Sequence, residues 1–234
     1  MKLIPNKFVA NYVIYANLLR KTNDNRMMKN RLIFSFLFIL VLFLVNIHAQ
    51  ENKTILVFGD SIAAGFGVEP EQAFPALLQE KIDSLGLSFD VINAGLSGET
   101  SAGGLRRISW VLQRKVDIMI LELGGNDGLR GIDLDNTKEN LQQIITIAQS
   151  KNPDIEIIIA GMQVPPNLGI AYTKKFVDLY PQLAKENKLP LIPLILDKVG
   201  GYDKYMQPDQ IHPNALGHKI VAHTVWETLE TLIN

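Results

Sequence analysis

Cysteine is absent from all 234 residues of the chain. That excludes disulfides, thiolate metal sites, a cysteine nucleophile and a lipid-bearing cysteine, and it leaves the fold to rest on its core. Excess positive charge is missing too: Lys and Arg number 23 against 24 Asp and Glu, a formal net charge of −1. Seven of the basic residues and one acid, Asp24, fall in the first 49 positions, so that segment carries +6 and the remainder −7. An acidic domain without a basic run is a poor binder of nucleic acid or of anionic lipid.

Long apolar runs are lacking except at one place. Leu32 to Val45 is apolar apart from Ser35, follows Lys29 and Arg31, and leads through Asn46-Ile47-His48 to the small residue Ala49. A basic flank, a short greasy stretch and a small residue form the layout of a secretory signal peptide, and the stretch is shorter than the roughly 20 residues of a membrane-spanning helix. Cleavage is predicted after Ala49, giving a secreted or periplasmic product with no stable membrane anchor. Residues 1–49 are therefore read as an N-terminal extension and signal peptide, with Met27 or Met28 as the true start, and residues 50–234 as a single domain. About 185 residues suffice to bury roughly 70% of the unfolded surface without cross-links.

From Gln50 onward, apolar strands alternate with amphipathic helical stretches. Strands are predicted at Ile55–Phe58, Phe89–Ile92, Ile118–Leu123 and Ile155–Ala160, with a weak fifth at Leu191–Leu194 that its flanking prolines would confine to an edge. Helices are predicted around Phe74, Leu77, Leu78, Ile82 and Leu85, around Leu105, Ile108 and Leu112, and from a capping box of Asn136 and Glu139 through Ala148. Two more run over Tyr172–Asn187, which Pro181 would interrupt or bound, and over about Asn214 to Leu232. Regular alternation implies an α/β fold with a parallel sheet covered by helices on both faces. Such sheets gather functional groups beyond the carboxyl ends of their strands.

Four polar residues fall in those loops. Ser61, after strand one in Gly59-Asp60-Ser61, would lie at the first turn of a helix, where it reads either as a nucleophile or as an N-cap. His212, after strand five, can supply the base that a serine hydroxyl needs, since imidazole titrates nearest neutral pH. Asp209, three residues earlier, can hold the ring by its second nitrogen. Gly98 and Asn126, after strands two and three, offer a backbone N–H and a side-chain amide that with the Ser61 N–H would stabilise an oxyanion. His218 and His223 lie inside the last helix and read as structural.

These blocks resemble the GDSL family of SGNH hydrolases: Gly59-Asp60-Ser61, the Gly98 region, Gly124-Gly125-Asn126-Asp127, and Asp209-x-x-His212-Pro213. Leu121 to Gly131 and Ile211 to Asn214 are similar to the branch known as acyl-CoA thioesterase I, lysophospholipase L1 or arylesterase. The resemblance implies a three-layer α/β/α flavodoxin-like sandwich with a five-stranded parallel sheet, Ser61, Asp209 and His212 as triad, and Ser61, Gly98 and Asn126 as oxyanion hole. It also implies chemistry without metal or organic cofactor, on a small acyl ester or a lysophospholipid. Gln210 departs from the glycine usual in that branch. Met162, Val164, Pro165, Leu168 and Ile170, in the loop after strand four, are predicted to line an acyl groove. Two competing readings are a carbohydrate O-acetylesterase and a catalytically silent binding protein of the same fold.

Overall fold

The computed structural model describes residues 27–30, 36 and 52–233. Residues 27–30 and 36 are helical; the rest of the apolar stretch 32–45 and the junction at Ala49 lie outside the described residues. Among the described residues no helix is long and apolar enough to cross a membrane.

Five parallel strands form one sheet in the order β2-β1-β3-β4-β5: β1 Lys53–Gly59, β2 Phe89–Asn93, β3 Ile118–Glu122, β4 Glu156–Ala160 and β5 Leu191–Ile192. Ile55 of β1 pairs with Val91 on one side and Ile118 on the other, so β1 lies inside the sheet. The short helices α1 Ser61–Ala64 and α4 Gly125–Leu129 follow β1 and β3. Larger helices carry the crossovers: α2 Phe74–Ser84, α3 Ser101–Val111, α5 Leu134–Lys151, α6 Ile170–Asn187 and the last, α7 Ala215–Ile233. Helix α2 packs against α7, while α3 packs against α5 and α5 against α6. The product is an α/β/α sandwich. The strand order reverses between β1 and β3, and the crevice beyond their carboxyl ends is where such sheets bind ligands.

Strands covered on both faces need apolar side chains throughout, and Ile55 to Phe58 of β1 and Ile118 to Leu121 of β3 are all buried. Each such side chain contributes about 1.5–3 kcal/mol. That gain is large enough to carry one exception, Glu122, which closes β3 at 0% exposure. On the outer side of β2, Gln79 of α2 accepts from the Val91 N–H at 2.6 Å and donates to the Phe89 carbonyl at 3.1 Å.

The structure corrects several local expectations. Helix α5 is capped by Asp133, whose carboxylate accepts from the Asp135 and Asn136 amides, so Asn136 lies inside the helix and the Asn136–Glu139 capping box does not form. Buried Leu134 starts that helix a turn early. Leu85 is exposed rather than core, because α2 has ended and the chain turns away at Gly86. Strand β5 is at the edge, as its prolines require, but only two residues pair. Pro181 does not interrupt α6: its exposed position faces the ring outward, and the carbonyl left without a donor belongs to exposed Val177, where water can serve it.

Candidate active site

At the end of β1 the chain turns through Gly59 into α1. Asp60 is the N-cap, its Oδ1 accepting from the Ile62 N–H at 3.1 Å. Ser61 is therefore the first helical residue rather than the cap, and its hydroxyl is free to face the loops beyond the sheet. The turn that meets it comes from the segment after β5. His212 Nε2 lies 2.9 Å from Ser61 Oγ, and His212 Nδ1 lies 2.7 Å from Asp209 Oδ2. Asp209 Oδ1 accepts from the amides of Ile211 and His212 at 2.9 and 3.0 Å.

The chemistry of the acid sets the direction of this chain. Burial pushes the Asp209 carboxyl up, but the hydrogen bonds from the His212 ring and from the His212 and Ile211 amides outweigh it and hold it down to about 2. An ionised carboxylate only accepts, so Nδ1 donates to it and Nε2 is left to accept the Ser61 hydroxyl proton. Phe66 packs on the His212 ring, 4.6 Å between centroids. Gln207 ties the two turns, donating from its amide to the Phe66 and Pro213 carbonyls and from its backbone to the His212 carbonyl.

Gln210 sits in the left-handed region, φ 58°. Glycine enters that region freely, which gives the departure noted in the sequence its physical meaning. The Gln210 side chain answers the strain in part by donating to Asp203 at 3.0 Å.

Asn126, in α4, turns its Nδ2 to Asp60 Oδ2 at 3.2 Å. Burial pushes the Asp60 carboxyl up to about 6, against the pull of the Ile62 amide, Asn126 and His212. Gly98 has φ +80°, and its carbonyl accepts from Arg130, whose guanidinium also reaches Asn126 Oδ1 at 3.4 Å. One arginine thus joins two loops that the sequence placed in separate blocks.

Ser61, Asn126 and His212 open onto a cavity of about 680 Å³. Met162, Val164 and Pro165 line it. Leu168 and Ile170 do not: Leu168 closes a short 3-10 turn and Ile170 opens α6 at 82% exposure, because the loop turns away after Pro165. Further apolar lining comes from Leu194, Ile195, Leu196 and Met206, a segment in which sequence reasoning saw only the end of a fifth strand at Leu194 and no period beyond it. Glu122, Arg130 and Phe66 were missed too; of these only Glu122 had a visible signal, a single acid ending an apolar strand.

Residues 57–220 match the GDSL-like Lipase/Acylhydrolase family. The chain belongs to that family. Among curated GDSL relatives, Esterase TesA of Pseudomonas aeruginosa is 38% identical over 77% of this chain and 90% of its own length. Thioesterase 1/protease 1/lysophospholipase L1 of Escherichia coli K12 is 37% identical over 83% and 92%. A crystal structure of TesA superimposes with a TM-score of 0.74 at 39% identity, covering 77% of this chain and 99% of that one. The GDSL chain described here is an ester-hydrolysing enzyme.

Proposed function

We propose that the protein is an exported serine esterase that cleaves carboxylic esters of acyl or aryl groups through an acyl-Ser61 intermediate. The observation that carries this reading is the continuous chain from the ionised Asp209 through His212 to Ser61 Oγ, opening onto a large cavity that is mainly apolar. Ser61 Oγ would attack the ester carbonyl while its proton passes to His212 Nε2. The oxyanion would be held by the N–H groups of Ser61 and Gly98 and by the Asn126 side-chain amide. Collapse breaks the C–O bond, and the leaving alcohol takes the proton from His212. Water then repeats the sequence on the acyl-serine and releases the acid. Asp209 stays ionised throughout and stabilises the imidazolium.

The cavity favours acyl chains longer than acetyl, which sets this reading above a glycan deacetylase. If the wall of Met162, Val164 and Pro165 takes the chain, each added methylene should contribute up to about 0.8 kcal/mol, so kcat/KM climbs roughly two- to fourfold per carbon until the cavity is full. A p-nitrophenyl ester series from two to sixteen carbons tests this. A maximum at acetate would favour the deacetylase instead, and a flat profile in wild type would remove the wall from recognition. Export after cleavage at Ala49 is part of the proposal, and lysophospholipids are esters such a compartment would supply. Mass spectrometry of the exported protein should find Gln50 as the first residue.

A further inference from the structure

The first turn of a helix has backbone N–H groups without intrahelical partners, and the usual remedy is a capping side chain from the helix itself. Here the remedy is divided between two acids. Asp60 Oδ1 takes the Ile62 amide. Glu122 Oε2, from the end of β3, takes both the Asp60 amide at 3.1 Å and the Ala63 amide at 3.2 Å. It satisfies the N-cap and third-residue donors that a capping box would satisfy with two side chains. The Ser61 N–H lies between them. Its one polar contact among the described residues is a weak one to the Asp60 carboxylate, the smallest of the pulls on that group, and it makes no well-formed hydrogen bond.

We propose that Glu122 is a positioning residue for the oxyanion site: by holding the amides on either side, it fixes the turn so that the Ser61 N–H alone is left to meet the substrate. This rests on the reading of Ser61 as nucleophile and oxyanion donor. Glu122 touches no substrate and acts through the backbone.

Two further observations belong to the same device. A Cβ on Gly59 would collide with Glu122 Oε2 and also with the Ala63 Cβ and the Glu122 carbonyl oxygen, so the glycine of the Gly59-Asp60-Ser61 block is required by the close approach of α1 and the end of β3, this acid included. The carboxyl is fully buried and its Oε1 has no partner among the described residues. Burial pushes Glu122 well above the usual carboxylate range, with the charge of Asp60 acting in the same direction, so it serves as a neutral acid whose useful atom is one carbonyl-like oxygen. Glutamine offers that oxygen at the same reach. Aspartate keeps the acid but falls one methylene short.

The test is kcat and KM of the mature domain on a p-nitrophenyl ester for wild type, Glu122→Gln, Glu122→Asp and Gly59→Ala, each checked for folding by circular dichroism. Glu122→Gln should stay within about threefold of wild type, whereas Glu122→Asp should lose at least about tenfold in kcat with KM within about threefold. Gly59→Ala, whose Cβ would press on the same oxygen and on the Ala63 Cβ, should lose kcat as well. A folded Glu122→Asp enzyme with normal kcat, a loss confined to KM, or a Glu122→Gln enzyme as damaged as the aspartate variant would overturn the proposal. If the aspartate variant does not fold, Glu122→Met, which keeps the length of the side chain but offers no acceptor oxygen, decides by the same criterion. Wild type that hydrolyses no ester and takes no fluorophosphonate on Ser61 would instead overturn the reading beneath, and the proposal with it.

Discussion

The two turns that meet at Ser61 and His212 are built in opposite ways. The serine turn is buried, with Ser61 at 9% exposure, and its partners come from the distant end of β3 and from α4 after it: Glu122 lies 62 residues from the Asp60 amide it accepts, and Asn126 lies 66 residues from Asp60. The base turn is open, with the Asp209 side chain at 38% exposure, and it is bonded mainly to itself within the six residues from Gln207 to His212. A nucleophile whose own amide must meet the developing charge gains from being immobilised beforehand. A base that rotates little and exchanges protons with water can sit on a local loop. In the proposed mechanism the difference divides the labour: the sheet would fix the electrophile's seat, and the loop would bring the proton acceptor.

The comparison breaks most completely if either turn loses its reacting atom. Ser61→Ala and His212→Ala should each lower kcat on p-nitrophenyl esters by about a thousandfold or more, and the double variant should be little worse than either single one. Additive losses would show that the two turns do not act as one unit.

A smaller effect sharpens the contrast by setting His212 beside His218, six positions on and fully buried in α7. His218 Nδ1 accepts from the Phe74 N–H at 3.2 Å, so its proton is on Nε2, which has no partner among the described residues. Burial lowers His218 to about 4, with His212 contributing. The unfolded chain binds that proton near pH 6.5 and the native one only near 4, so stability falls as pH drops through that window, by up to about 3 kcal/mol. Melting temperatures against pH should therefore fall more steeply for wild type than for His218→Gln between pH 6.5 and 4. Parallel curves would remove His218 as a source of acid lability.

Asn126→Ala comes next, with a loss of about a hundredfold in kcat if it is one of three oxyanion donors. An unchanged kcat would confine the oxyanion site to backbone amides. The smallest change is Gln210→Gly in the base turn. Relief of the left-handed strain, about 1 kcal/mol, is offset by the entropy glycine loses on folding, about 0.5–1 kcal/mol. Thermal stability should therefore shift by less than about 1 kcal/mol, with kcat within about threefold. A large fall in kcat would mean that the bond to Asp203, and not the backbone, holds His212 in place.

The same contrast explains what the sequence could disclose. Asp209 and His212 were legible because three residues of one turn carry the whole arrangement. Ser61 and Asn126 were legible because glycine-rich turns after apolar strands announce themselves, and parallel topology brings the strand ends together. Glu122 was illegible in its role: its meaning depends on a partner 62 residues away. The start of α5 was misplaced because Asp133 and Asn136 are both capping residues three apart, and only the burial of Leu134 chooses between them. The cavity wall after β5 was missed since a segment made of turns has no period to read. Leu168 and Ile170 were misassigned because composition does not say which way a loop turns.

Gln79 has a consequence for the fate of many such molecules at once. A two-sided sheet ends in exposed rows of peptide groups, and such a row is a template on which a second chain can add a strand. At β2 the first acceptor and donor that an incoming strand would seek, the Phe89 carbonyl and the Val91 N–H, are already occupied by one carboxamide. That side chain reproduces the pairing of a peptide unit and then stops, since it has no next residue to offer. A crowd of copies thus meets a sheet that has been terminated at its β2 edge, where stacking is blocked at its first pair of bonds.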